Sequence, residues 1–561
     1  MRPSRLIALA LMPLLAAPAF ARVTDLSGPY LAARHASMQS DFRAAARYYD
    51  EALRADSANQ RLLENAVMAH LGLGDLDRAL PLARQLRASG ARSSVMQMVL
   101  LADAAQREDY QGILDGLDAE QGVGPLVDQL SRAWALVGLG RMSQALEIFD
   151  AAAAETGLQS FGLYHKALAL AMVGDLESAD AILAGEAAGP VRPTRRGLLA
   201  HASILSLLER PEEAQEVLNQ MFGSEADPGL VALRARLDAG ETIPFDTVRT
   251  ARDGIAEVFY TVASALSDNA MDSFTLMYAR VAEYLAPQHA DAKLMSAGLF
   301  EAQRQYDLAV EAYKSVPRDD PAFYAAELGR ADALQRSGAE EEAIAVLQAL
   351  AETYPNVPIV HVTLGDALRQ KEMFDAASRA YDRAIELLPG REAGQWVVYY
   401  ARGITHEREG RWDKAEADFR TALDLEPGQP QVLNYLGYSF VEMHRNLDEA
   451  LAMIEQAVEA RPNDGYITDS LGWVLYRLGR YEEAVSHMER AVELEPVDPI
   501  VNDHLGDVYW AVGRKREARF QWSRALSFEP EDPDAARIRR KLEIGLDAVL
   551  EDEGADPLHP Q

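Results

Sequence analysis

Eleven histidines, no cysteine, and 87 carboxylates against 55 basic side chains are what this 561-residue chain has for chemistry. A zinc-hydrolase helix needs two histidines four apart, with a glutamate beside the first. His406-Glu407-Arg408-Glu409 supplies one histidine and the glutamate but not the second histidine. His361, His487 and His504 have no histidine or cysteine at ligand spacing, so they read as packing or surface residues. Gly72-Leu73-Gly74 and Gly138-Leu139-Gly140 read as helix ends rather than phosphate cradles. Paired carboxylates occur throughout so acidic a chain and therefore carry no information. No catalytic, cofactor-binding or metal-binding residue is assigned, and the expectation is a non-enzymatic chain that acts by contact.

The elements that would position contact residues are written as a repeat. Leu436-Gly437, Leu471-Gly472 and Leu505-Gly506 open three copies; Ala450, Ala484 and Ala518 follow; Pro462, Pro496 and Pro530 close them. From Pro462 to Pro496 to Pro530 the step is 34 each time. Glycine inside a helix costs about 1 kcal/mol relative to alanine, so its recurrence implies a packing need for a missing side chain. Gly479 and Gly513 suit the left-handed residue that ends a helix. Each proline stops the second helix by removing an amide donor and restricting the residue before it. A hairpin of this kind cannot bury its apolar face alone and must stack on neighbours.

With that period, order and residue type, the chain resembles tetratricopeptide-repeat proteins. The resemblance implies an all-α solenoid of about fourteen stacked helix-turn-helix repeats in a right-handed superhelix, with first helices lining the concave side. Family positions two, five, nine and twelve of each repeat face inward. Carried onto this sequence they give Tyr400, Asn434, Tyr438, Tyr466, Asp469, Trp473, Tyr476, Asp503, Asp507 and Trp510 as the protein- or peptide-binding residues. Large aromatics beside carboxylates and an amide suit a recognition surface; Trp473 and Trp510 have a second use, as wedges between repeats. The basic clamp by which some relatives hold acidic chain ends cannot be assembled, because Asp469, Trp473, Asp503 and Asp507 stand at its positions.

Along the chain, residues 1–21 have the positive start, apolar run and small-x-small site of a secretory signal peptide. Residues 22–222 read as a divergent repeat block, 223–254 as an irregular boundary, and 255–532 as a second repeat block. A capping helix follows over 533–550, then an acidic disordered tail over 551–561. Extra residues fall near 390–395 and 444–446, at turns where a stack tolerates them. No other stretch approaches the ~18 apolar residues of a membrane span, so no transmembrane segment is expected. Without cysteine, no lipid anchor is expected either.

Net charge is −32, which argues against nucleic acid and anionic membranes as partners. Val432–Pro530 is also similar in wording to long repeat proteins of Gram-negative envelopes, among them the adaptor of a periplasmic C-terminal processing protease. That likeness implies a periplasmic scaffold presenting a protein or peptide to a protease or cell-wall hydrolase. Aromatic faces beside Asp and Asn equally suit sugars, so a glycan-binding scaffold is the alternative, and an enzyme without recognisable motifs the third reading.

Overall fold

The computed structural model describes residues 26–555 and Leu558, apart from 187–188, 190, 223–227, 268–271, 389 and 391. The expected signal peptide, and residues 556–557 and 559–561 of the tail expected at 551–561, lie outside the described residues. The described elements are helical throughout. Six consecutive helix pairs run from Ser27 to Phe222, the single helix Pro228–Asp238 follows, and eight further pairs run from Ala251 to Ser527.

The repeated residues do the mechanical work expected of them. Ala450, Ala484 and Ala518 are fully buried. A Cβ on Gly437 would meet the Ile454 side chain at 2.8 Å, one on Gly472 that of Met488 at 2.7 Å, and one on Gly506 that of Trp522 at 2.4 Å. The in-helix glycine thus receives a large side chain from the partner helix, and a methyl group there would push the pair apart. Gly479 and Gly513 take φ values of 74° and 79°, the left-handed end of the first helix. Two first helices of this stretch begin on caps that satisfy orphan amides: Asp464 accepts from the Ile467 N–H, and Asp498 from those of Ile500 and Val501. The extra residues sit at turns: a short 3₁₀ turn at Ala393–Gln395, and left-handed His444 and Asn446.

The chain forms two compact units, residues 1–350 and 351–561. Of the boundary expected at 223–254, the described part, residues 228–254, lies inside the first unit. The repeat does lapse there, with an irregular connection from Ala239 to Thr250. The next two helices nevertheless return to the preceding pairs. Helices Ala251–Leu266 and Asp272–Leu285 pack on first helices of the earlier repeats, among them Gln60–Leu73, Ser94–Gln106 and Pro125–Gly138. Gly254 makes this approach feasible, since a Cβ there would come within 2.2 Å of the buried Trp134 ring. Arg280 donates to the Leu73 carbonyl at the C-terminal end of its helix, 2.8 Å away.

The expected single capping helix over 533–550 is two helices, Asp532–Ile544 and Leu546–Asp552. Gly545, at φ 86°, breaks them. Glu551 and Asp552 of the expected tail belong to the second.

Candidate functional site

Four consecutive first helices of the second unit, Trp396–Arg408, Pro430–Glu442, Gly465–Arg477 and Pro499–Ala511, line a groove of about 540 Å³. It brings together four of the residues expected to bind, Asn434, Tyr438, Tyr466 and Asp469. Tyr466 is 54% exposed, and its hydroxyl donates to Asp498 at 3.4 Å. The Asn434 Oδ1 atom is shielded from solvent and accepts no hydrogen bond. Burial, reinforced by Glu442 and Asp469, pushes the Tyr438 phenol above its ordinary pKa, so it stays a neutral donor and acceptor.

Reasoning by repeat position missed Glu407, Tyr435, Glu442, Asp498 and His504, which also line the groove. Glu442 and Asp498 stand at helix ends, just outside the four inward positions, and only their acidity could have drawn notice. His504 is buried with its Nδ1 atom 2.9 Å from Asp469. Burial opposes its charge, but Asp469, Asp503 and Asp507 outweigh burial and hold its pKa above the ordinary value. The imidazolium so favoured stacks on Trp473, ring centroids 4.0 Å apart and 12° from parallel.

The other six expected residues do not present an open wall. Trp473 and Tyr476 are each 7% exposed and stack on one another at 4.8 Å, and the Trp473 indole donates to Glu442 at 2.8 Å. Trp510 is 6% exposed; it packs on Trp522 and donates to Asp547 at 2.9 Å. The second use of these tryptophans is therefore the one observed. Asp503 and Asp507 are covered by the chain's own C-terminal helix, whose fully buried Lys541 donates to both at 2.7 Å. Burial pushes the Asp503 carboxyl above its usual range, and Lys541 pulls it back. Tyr400 is half-buried among Trp396, Phe419 and Tyr435, behind the groove-lining Tyr435 and not itself in the lining. Sequence position selected residues of the first helices, and the helix that follows decides which of them stay open.

In the first unit the corresponding face is filled. Glu257, fully buried on Ala251–Leu266, accepts from the Tyr164 hydroxyl at 2.8 Å and from Arg196 at 2.7 Å. Burial raises the Glu257 carboxyl, but Arg196 and His289 overcome it and leave the group far below the carboxylate range. His165 joins the network between the Trp134 indole and Thr261, at 3.1 Å from each. Burial lowers its pKa to about 4, so it stays neutral.

Among the described residues no group of three His, Asp or Glu side chains could hold a metal ion. No described helix is long and apolar enough to cross a membrane.

Comparison with known proteins agrees with this architecture. Family models described as tetratricopeptide repeat match residues 30–94, 362–430, 400–465 and 436–499, and a second one residues 299–369. The chain is 28% identical over 184 residues to a TPR repeat-containing protein of Pseudomonas aeruginosa, covering 32% of this chain and 30% of that protein. It is 31% identical over 101 residues to the chloroplastic tetratricopeptide repeat domain-containing protein PYG7 of Arabidopsis thaliana, covering 18% of this chain and 33% of that one. The chain thus spans about a third of the length of the curated relatives it matches. Among solved structures, a chain of the APC/C hetero-tetramer Cut9-Hcn1 aligns over 93% of this chain and 96% of its own, at 15% identity and a TM-score of 0.37. The matched stretches of this all-helical chain are tetratricopeptide repeats.

Proposed function

We propose that the chain is a scaffold that holds a protein or peptide segment in the groove between Glu407 and His504. The observation that carries this reading is a stretch of first-helix face in the second unit that stays open as a groove. It offers an exposed Tyr466 ring, the Tyr438 phenol and an unmatched Asn434 carbonyl in a row across consecutive repeats. An extended segment could lay its side chains on the rings and hydrogen-bond the Tyr438 hydroxyl. Carboxylates at the rim favour a segment with basic character.

The finer reading is an envelope adaptor. The leader-like residues 1–21 would send the chain to the periplasm, where it would present its cargo to a protease or cell-wall hydrolase. N-terminal sequencing of the protein from a Gram-negative host tests the first step: processing after Ala21 supports export, and an intact Met1 refutes it. For the groove, the test is affinity purification from envelope extract with wild type and the Tyr438→Ala, Tyr466→Ala double variant. Loss of a defined protein partner, with helical circular dichroism unchanged, supports the reading. Unchanged capture sinks it, and binding to peptidoglycan fragments alone would favour the glycan alternative.

A further inference from the structure

We propose that the first unit carries a separate binding site for a compact multivalent oxyanion, built from Arg43, Arg47, Arg304 and Arg336. Arg43 and Arg47 stand four apart on helix Phe42–Ala55, so they share a face. Arg304 lies in the turn before helix Tyr306–Lys314, and Arg336 ends helix Phe323–Arg336. These distant stretches converge around a depression of about 610 Å³, within the range of small-ligand sites. The convergence is held: the Gln305 side chain donates to the Gln39 carbonyl, 266 positions away, at 3.2 Å. Phe42 and Phe300 meet edge to face behind it.

The charge arithmetic at this place runs against the rest of the molecule. Acidic residues outnumber basic ones 87 to 55 in the chain, so an arginine should find a carboxylate easily. Around the depression the carboxylates are mostly engaged: Asp41 caps its helix by accepting from the Ala44 N–H at 2.9 Å, Glu311 pairs with Arg43, and Asp332 with Arg336. Among the described residues Arg47 and Arg304 have no carboxylate partner; Arg47 lies over the Tyr48 ring, 4.5 Å from its centroid. Two unpaired guanidinium groups and two half-exposed paired ones thus face a common space, offset there by Asp307. Guanidinium groups present fixed forks of N–H donors that match phosphate and carboxylate oxygens two at a time. An anion with two or more such groups could span from the Phe42–Ala55 helix to the turn at Arg304 and fasten the two.

The test is calorimetric titration of the full chain with inorganic pyrophosphate and, separately, citrate, at matched ionic strength with chloride as control. The expected result is saturable binding of at least one, weakened tenfold or more in the Arg47→Gln, Arg304→Gln double variant. Which of the two binds tells phosphate from carboxylate recognition. Hydrogen exchange of the wild type provides a second readout that needs no variant: the bound anion should protect 42–55 and 303–314 together. Heats no larger than the chloride control for both anions, or equal affinity in the double variant, would overturn the proposal. Capture of a polyglutamate peptide without either small anion would also overturn it, in favour of protein docking.

Discussion

The two units treat the same face of the same repeat in opposite ways. In the first, helices Ala251–Leu266 and Asp272–Leu285 lie on the first helices of the preceding pairs, and a buried network around Glu257 and Arg196 fastens them. In the second, the helix that carries Lys541 covers that face at its far end, and the stretch from Glu407 to His504 stays open. The difference teaches that a repeat defines a surface, while its availability is set by whatever segment follows. Asp469 and Asp503 make the point in miniature, because they occupy the same position one period apart. Each is met by a cation from the next helix on that face, His504 for one and Lys541 for the other. The helix Asp532–Ile544 therefore supplies this cation as a further first helix would, while its Ile538 is buried in the apolar core of the last repeats.

The largest effect should come from breaking the fastening of the first unit. Glu257→Ala leaves the Arg196 charge buried without its main partner, which costs roughly 3–5 kcal/mol. Segment-resolved hydrogen exchange should show faster opening over 125–285 and no change beyond 430; an unaffected first unit would break the comparison. Lys541→Ala should cost roughly 3 kcal/mol in the second unit, by leaving Asp503 and Asp507 facing each other. Trp510 should then become accessible to a fluorescence quencher, and unchanged quenching would show that the helix stays docked without its ammonium group.

Acidity should sharpen the contrast. A histidine lowered to about 4 in the fold, against 6.5 in the open chain, contributes stability that is present above pH 6.5 and lost as pH falls towards 4. For His165 the loss across that window is roughly 3 kcal/mol in the first unit, at 1.36 kcal/mol per unit of pKa. His165→Gln should flatten it, as read from exchange over 125–172 at several pH values. His504 has the opposite sign: with its pKa raised, it contributes fully below 6.5 and the contribution fades as pH rises through its folded value. His406 and His487 are both pushed down by burial, so they pull the other way in the same unit. The His504 contribution is therefore read as the difference between wild type and His504→Gln, which should be greatest at low pH. The smallest stability effect belongs to Tyr466→Ala, within about 0.5 kcal/mol at so exposed a position.

Much of this was legible in the residues. Leu-Gly, alanine and proline at a 34-residue period fixed helix type, helix ends and pairing, because those features are local and each has one mechanical cause. Four of the ten residues expected to bind reached the groove on the same reasoning. The other six did not, because their fate depends on contacts remote in the chain. Nothing local to Asp507 announces Lys541, and nothing local to Gly254 announces Trp134. Likewise, the glycine, proline and acid content of 223–254 marks a lapse in the repeat, but composition cannot say whether the next helices leave or return.

The most direct test places a photoreactive amino acid at Tyr466, in the open groove, and in a parallel protein at Ser486, on the exposed part of a second helix. Irradiation in cells of the native host followed by mass spectrometry should yield a defined protein crosslink from position 466 alone, weakened by Asn434→Ala. Equal labelling from both positions, or crosslinks from 466 only to this chain's own C-terminal helices, would contradict the account.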